Sequence, residues 1–179
     1  MTGETLREGI FSLNTRRFGT VAELLVARLA RLGKGRSLFH DLYDDVRSQR
    51  AEVKFSRVLK KHERRVTEQT VLQCIAEATS EQRMVAFSDW RSTHFDCNIQ
   101  QIKRAEFEVL YYGLFFADEV PVFRIESQAI GSQILYSNKQ HKGNVGEGQF
   151  HISEKTLQLH LDNYLYRSLS YGELLELLS

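Results

Sequence analysis

The sequence predicts an α/β fold in which a mixed central β-sheet is flanked by helices. Three features support this class: an amphipathic helix near the N-terminus, two β-forming runs separated by a polar turn, and an almost continuously apolar stretch typical of a central strand. The 179 residues suffice for one domain with a single core. With 42% hydrophobic and 26% charged residues, the composition excludes a disordered, fibrous or coiled-coil chain.

The elements are predicted in chain order from apolar periodicity and turn residues. Helical spacing of apolar residues predicts a first helix that ends before Gly33. A polar turn at 47–49 joins the two strands of a hairpin. The full prediction is a helix over 19–32, strands over 37–46 and 50–59, a helix over 60–83, a strand over 84–90, a short helix from 99, strands over 109–116 and 120–125, a polar loop over 136–150 and a helical part over 153–179.

Charge is unevenly distributed, although the net charge is only +1. Residues 1–65 hold 15 Lys/Arg and 8 Asp/Glu, whereas residues 66–179 hold 9 and 15. A basic segment can bind a polyanion even in a nearly neutral protein.

The apolar runs are all shorter than the ~20 residues of a membrane helix, and the N-terminal residues lack the apolar region of a signal peptide. Cys74 and Cys97 form neither a disulfide framework nor a metal-ligand spacing. We therefore expect a cytoplasmic protein with no membrane partner.

Candidate chemistry is concentrated in the predicted hairpin. Glu52 and Lys54 are two residues apart on one strand, so their side chains share a face. Given the turn at 47–49, Asp41 on the preceding strand lies opposite residues 52–53. Two adjacent carboxylates repel each other unless a cation lies between them, and hard oxygen ligands suit Mg²⁺. Such a site can polarise a phosphoryl oxygen, while the lysine stabilises transition-state charge.

Asp41 followed by Glu52-Val53-Lys54 resembles the signature of the PD-(D/E)XK nuclease superfamily, particularly as found in type II restriction endonucleases. His40 stands where the family name has proline. Asp44 and Asp45 remain alternatives to Asp41 as the metal-binding aspartate.

The similarity covers about residues 18–125, the expected catalytic core, and includes Glu23, which matches a glutamate that the family often carries on the helix before the hairpin. The resemblance implies an αβββαβ core and catalytic roles for Asp41, Glu52, Lys54 and Glu23, with Mg²⁺ held by Asp41 and Glu52. It implies hydrolysis of double-stranded DNA by a metal-activated water. It also implies a homodimer, which cuts both strands at a palindromic site, and functional pairing with a DNA methyltransferase.

Residues for DNA binding are predicted by side-chain chemistry. Basic residues of the first third suit phosphates, and the loop over 136–150 is rich in groups that read base edges. The predicted DNA-binding residues are Arg16, Arg17, Arg57, Gln100, Gln101, Asn138, Lys139, Gln140, His141 and Lys142.

Two alternatives stay open from the sequence. One is a structure-selective DNA repair or junction nuclease of the same fold. The other is a non-catalytic DNA-binding protein in which the Glu-Val-Lys tripeptide is accidental, and in that protein Asp41 would lie far from Glu52.

Overall fold

The computed structural model describes residues 1–61, 64–139 and 145–179. Its larger sheet has six strands in the spatial order β1-β2-β3-β5-β6-β9. β3 runs parallel to β5, and the other neighbours are antiparallel, so the sheet is mixed. The strands are β1 (Gly33–Lys34), β2 (Leu42–Asp44), β3 (Gln49–Arg57), β5 (Val109–Phe115), β6 (Glu119–Glu126) and β9 (Leu165–Ser170).

Two layers cover the faces of this sheet. One layer is a three-stranded antiparallel sheet, β4-β8-β7, together with helix α5. The other consists of helices α1, α2 and α6. A mixed sheet flanked by helices confirms the predicted fold class. The covering elements are β4 (Asp96–Ile102), β7 (Ser137–Lys139), β8 (Val145–Ser153), α1 (Gly3–Ser12), α2 (Thr15–Ala30), α5 (Leu157–Tyr164) and α6 (Tyr171–Leu178).

Strand β5 is the centre of the molecule, as its apolar sequence predicts, and all seven of its residues are buried. Because side chains alternate along a strand, Tyr111 and Phe115 pack toward the helices, and Tyr112 and Leu114 pack toward the smaller sheet. A side chain at Gly113 would collide with the ring of Phe55 on the paired strand β3, so glycine is required for this close packing.

The predicted helix over 60–83 is wrong for most of its length. Among the described residues of this range, the helices are the short α3 (Val71–Ala76) and α4 (Ser80–Arg83). Leu72, which belongs to the apolar face of the predicted helix, is 79% exposed. Lys60, the first residue of the predicted helix, instead forms an isolated β-bridge with Phe95, so tertiary pairing overrides local helical spacing at this point.

Five other elements also differ from prediction. The region from 99 is strand β4 instead of a helix, and the expected strand over 84–90 is a bridge at Met84 followed by a 3-10 turn. The C-terminal region contains the edge strand β9 between its two helices, and the described residues 137–139 and 145–150 belong to the paired strands β7 and β8 instead of a loop. The first predicted helix begins earlier, at Thr15, with Asn14 as its N-cap.

A histidine of helix α5 is buried against aromatic residues of both sheets. His160 is fully buried, with its ring stacked on Phe150 and its Nδ1 2.8 Å from the hydroxyl oxygen of Tyr112. Burial lowers the pKa of His160 from its ordinary 6.5 to about 4. The folded protein therefore holds this ring neutral.

We expect the free energy of unfolding to fall as the pH drops from 6.5 toward 4, because only the unfolded chain then protonates residue 160 readily. The loss is about 1.4 kcal/mol for each unit by which the two pKa values differ. Urea unfolding of wild type and of His160→Gln, which keeps a polar group near Tyr112, measures this slope, and the exposed His151→Gln is the control. Equal slopes in wild type and His160→Gln would contradict the assignment.

Candidate active site

The hairpin register brings Asp41 beside the Glu52-Val53-Lys54 segment. β2 pairs with β3 so that Leu42 lies opposite Ala51, and the next residue outward, Asp41, is in line with Glu52. The backbone N–H of Val53 donates to Asp41 Oδ2 at 2.9 Å. The backbone pairing of β2 with β3 ends at Leu42, and the side chain of Asp41 makes the next hydrogen bond to β3. This hydrogen bond holds the Asp41 carboxylate at the edge of the sheet.

Strand β3 presents different chemistry on its two faces. Ala51 and Val53 are buried against α2 and the other helices. Glu52 and Lys54 point to the opposite face, where their side chains are 13% and 24% exposed and Lys54 Nζ lies 2.5 Å from Glu52 Oε1. The pair is therefore held in a largely desolvated position at the wall of a cleft.

Helix α2 adds a third carboxylate to this group. Leu25 and Val26 bury one side of the helix in the core, which brings Glu23 close to the hairpin. Burial and the negative charge of Asp41 raise the pKa of Glu23, and the Lys54 ammonium opposes this rise. All four predicted catalytic residues thus belong to one electrostatic group.

The pKa of Glu52 is also raised, first of all by burial. The Lys54 ammonium opposes the rise, while Asp41 and Glu106 add to it by charge repulsion. Carboxylates brought together in this way favour a cation between them.

A cleft of about 230 Å³ opens over Asp41, Glu52 and Lys54, whereas Glu23 is not among its lining residues. Its walls hold four carboxylates against two ammonium groups, so the cleft carries excess negative charge. The charged residues lining it are Asp41, Glu52, Lys54, Lys103, Glu106 and Glu147.

A larger surface depression of about 1090 Å³ lies at the other end of β3. Lys60, Lys61 and Arg83 give the described part of its lining a mainly basic character. We assign the site to the smaller cleft because that is where carboxylates and an ammonium group converge.

Three charged cleft residues were missed by sequence reasoning. Lys103 Nζ lies 3.7 Å from Glu106 Oε1 and 3.8 Å from Glu147 Oε1. The sequence places Lys103 and Glu106 three residues apart, but on the predicted helix this spacing indicates only an ion pair at the surface. Their place in the cleft depends on β4 and β8 packing beside β3, a long-range contact that local patterns do not encode.

Of the two predicted glutamines, the structure brings Gln101 to the cleft. A β-bulge between Gln100 and Ile102 shifts the register of β4 against β8. Gln101 adopts the left-handed conformation there, with φ of 61°, and its side chain lines the cleft. Such a bulge redirects a side chain. Gln100 instead lies opposite Gln149 in the ladder.

Arg57, which the sequence predicts to contact phosphates, makes its contacts within the protein. Its guanidinium donates to the carbonyl oxygens of Ile10 and Leu13 at the end of α1 and lies 4.2 Å from the ring centre of Phe18. Burial lowers its pKa. The residue faces the helix layer, away from the cleft, and donates to carbonyl groups at the helix end, of which that of Ile10 also accepts from the Leu13 N–H.

Four of the other predicted DNA-binding residues lie on two described elements. Arg16 and Arg17 are exposed in the first turn of α2, and Asn138 and Lys139 are exposed on β7, the outer strand of the smaller sheet. The remaining three, Gln140, His141 and Lys142, lie outside the described residues.

The alternative aspartates have different tasks. The Asp44 carboxylate accepts from the backbone N–H groups of Val46 and Arg47 and from the Arg47 guanidinium, which closes the hairpin turn and lowers its pKa. Asp45 is exposed and pairs with Arg36. Of the three aspartates, Asp41 is the one that lines the cleft.

The donor set of the cleft suits Mg²⁺. Among the residues that the structure describes, no group of three or more His, Cys, Asp or Glu side chains is arranged to hold a metal ion. Mg²⁺, however, commonly binds one or two carboxylates and completes its coordination with water and substrate phosphate. Asp41 and Glu52 supply that pair at a point of excess negative charge.

Comparison of the chain with protein-family models, with curated proteins and with solved structures finds no match. No helix in the described ranges is long and apolar enough to span a membrane.

We expect Asp41→Asn to lower the pKa values of both Glu23 and Glu52, because it removes a negative charge that raises them. The amide oxygen can still accept from Val53, so the fold is retained. Carboxyl ¹³C NMR titration measures both groups, with Asp162→Asn on α5 as the control. Unchanged pKa values in Asp41→Asn would contradict the electrostatic coupling.

Proposed function

We propose that the protein is a Mg²⁺-dependent endonuclease of the PD-(D/E)XK type that cleaves double-stranded DNA as a sequence-specific type II restriction enzyme. The observation that supports this most is the convergence of Asp41, Glu52 and Lys54 on one cleft. If the Glu-Val-Lys tripeptide were accidental, there would be no reason for an aspartate to lie opposite it across the hairpin.

The residues suggest a division of tasks. Asp41 and Glu52 hold Mg²⁺, which when bound supplies Lewis-acid polarisation of the scissile phosphate. Lys54 presents its ammonium group at the cleft wall, where it attracts the phosphate, orients the attacking water and stabilises the charge that develops. Glu23 attracts the same ammonium and helps to orient it.

The order of elements is compatible with the αβββαβ core. α2 precedes β1, β2 and β3, two short helices follow, and β5 then pairs parallel to β3. On this interpretation β4 is an insertion that covers the site.

The surroundings of the cleft favour a nucleic-acid substrate. Gln101 and Lys103 lie beside the carboxylates, and Arg16 and Arg17 lie on the same helix as Glu23. We extend the proposal to a cytoplasmic homodimer that binds a palindromic site and works beside a DNA methyltransferase.

Digestion of a mapped plasmid with Mg²⁺, and with EDTA as the metal-free control, tests the function. We expect discrete fragments with Mg²⁺ alone, and a rate loss of about 100-fold or more in Asp41→Asn and Lys54→Ala, because each removes charge at the reacting phosphate. Asp45→Asn, which lies outside the cleft, should cut like wild type.

Full activity of Lys54→Ala would rule out this mechanism. Cleavage of branched DNA alone, with no preferred site in duplex DNA, would instead identify a structure-selective nuclease.

Metal binding can be measured without DNA. We expect saturating Mg²⁺ to raise the melting temperature of wild type by about 5 °C or more. Asp41→Asn and Glu52→Gln should lose most of this shift because each removes one carboxylate ligand, whereas Asp162→Asn should keep it. Equal shifts in all four proteins would show that Mg²⁺ binds elsewhere.

A further inference from the structure

Two apolar side chains are exposed at the rim of the cleft. Leu38 is fully exposed and Phe39 is 62% exposed. Both line the cleft, in the segment that leads directly to Asp41. Large apolar groups held in water beside a charged site indicate a surface that contacts a ligand.

Internal hydrogen bonds hold the segment in shape. The Gly35 N–H donates to the carbonyl oxygen of Asp41 at 2.9 Å, and the Arg36 N–H donates to Nε2 of His40 at 3.2 Å. Ser37 Oγ lies 3.1 Å from His40 Nδ1 and accepts from the Phe39 N–H at 3.2 Å.

The buried ring of His40 thus anchors residues 36–39 from below. A side chain at Gly35 would collide with the His40 carbonyl oxygen, so the loop closes tightly at this point.

The occupant of this rim must be compatible with access to the cleft. Leu38 and Phe39 line the same cleft as Asp41 and Glu52, so a substrate bound at these carboxylates lies against both side chains. A second copy of the chain bound at this rim would compete with that substrate. The exposed Lys34 lies in the same stretch of chain and suits a phosphate of the bound strand, whereas the Arg36 guanidinium is paired with Asp45.

We propose that Leu38 and Phe39 form a wedge that enters the DNA at the base step beside the scissile phosphate. This inference rests on the proposed endonuclease function. Phe39 stacks on an exposed base face, and Leu38 separates that base from its neighbour. Apolar wedges of this kind unstack base steps, and aromatic side chains stack on any base. A loop already rigid in its projecting form loses little entropy when it inserts.

Cleavage of the mapped plasmid by Leu38→Ala, Phe39→Ala and the double variant tests the wedge. The control is Val46→Ala, which removes a side chain that is 93% exposed on the hairpin turn, outside the cleft. We expect the double variant to cut at least about tenfold more slowly than wild type, and Val46→Ala to cut at the wild-type rate.

Base unstacking can be measured separately from cleavage, by the fluorescence of 2-aminopurine. A duplex containing the mapped cut site carries 2-aminopurine beside the cut phosphate, and Lys54→Ala prevents its cleavage. We expect binding to raise the 2-aminopurine emission, and the rise to be lost when Leu38→Ala and Phe39→Ala are added.

Three results would overturn the wedge. Wild-type cutting rates and an unchanged emission rise in the double variant would remove it while leaving the endonuclease intact. A change of oligomeric state in the double variant, seen by sedimentation, would assign the two side chains to self-association. Failure of wild type to cut any plasmid would overturn the endonuclease, and the wedge with it.

Discussion

The pairing of β2 with β3 is the constraint on which the candidate site depends. This register aligns Asp41 with Glu52, and the hydrogen bond from Val53 to the Asp41 carboxylate extends the pairing beyond the last strand residue. The same register keeps Ala51 beneath the helix layer. Core packing and the meeting of Asp41 with Glu52 and Lys54 are thus two results of one alignment, whereas Glu23 and Glu147 are positioned by α2 and β8.

Sequence reasoning succeeded where local patterns carry the information. The hairpin and β5 follow from alternation and from an unbroken apolar run, and Asp41, Glu52 and Lys54 follow from the hairpin. β4 was mistaken for a helix because its inward residues Cys97 and Ile99 alternate over too few positions, and the bulge at Gln101 ends that alternation. The contributions of Lys103 and Glu147 depend on packing between sheets, which is invisible to a local pattern.

The basic character of the first 65 residues has several origins. Arg57 supports the end of α1, while Arg50 pairs with Glu108 and Arg36 with Asp45. The charges of Arg50 and Arg36 are therefore balanced locally and contribute little to a long-range positive field. Lys54 differs because it lies in a cleft where carboxylates outnumber ammonium groups. The local balance around a site is therefore more informative about its ligand than the charge of the segment that contains it.

The left-handed backbone at Gln101 affects how the protein would change under selection for higher thermal stability. Glycine adopts that conformation more readily than glutamine, and the partly buried carboxylates of Glu23 and Glu52, whose pKa values are raised, are held against their own hydration and against repulsion by Asp41. Substitutions that relieve these costs would raise thermal tolerance while removing the polar groups of the cleft. A library selected for heat resistance alone would drift toward a well-folded protein with an inert cleft.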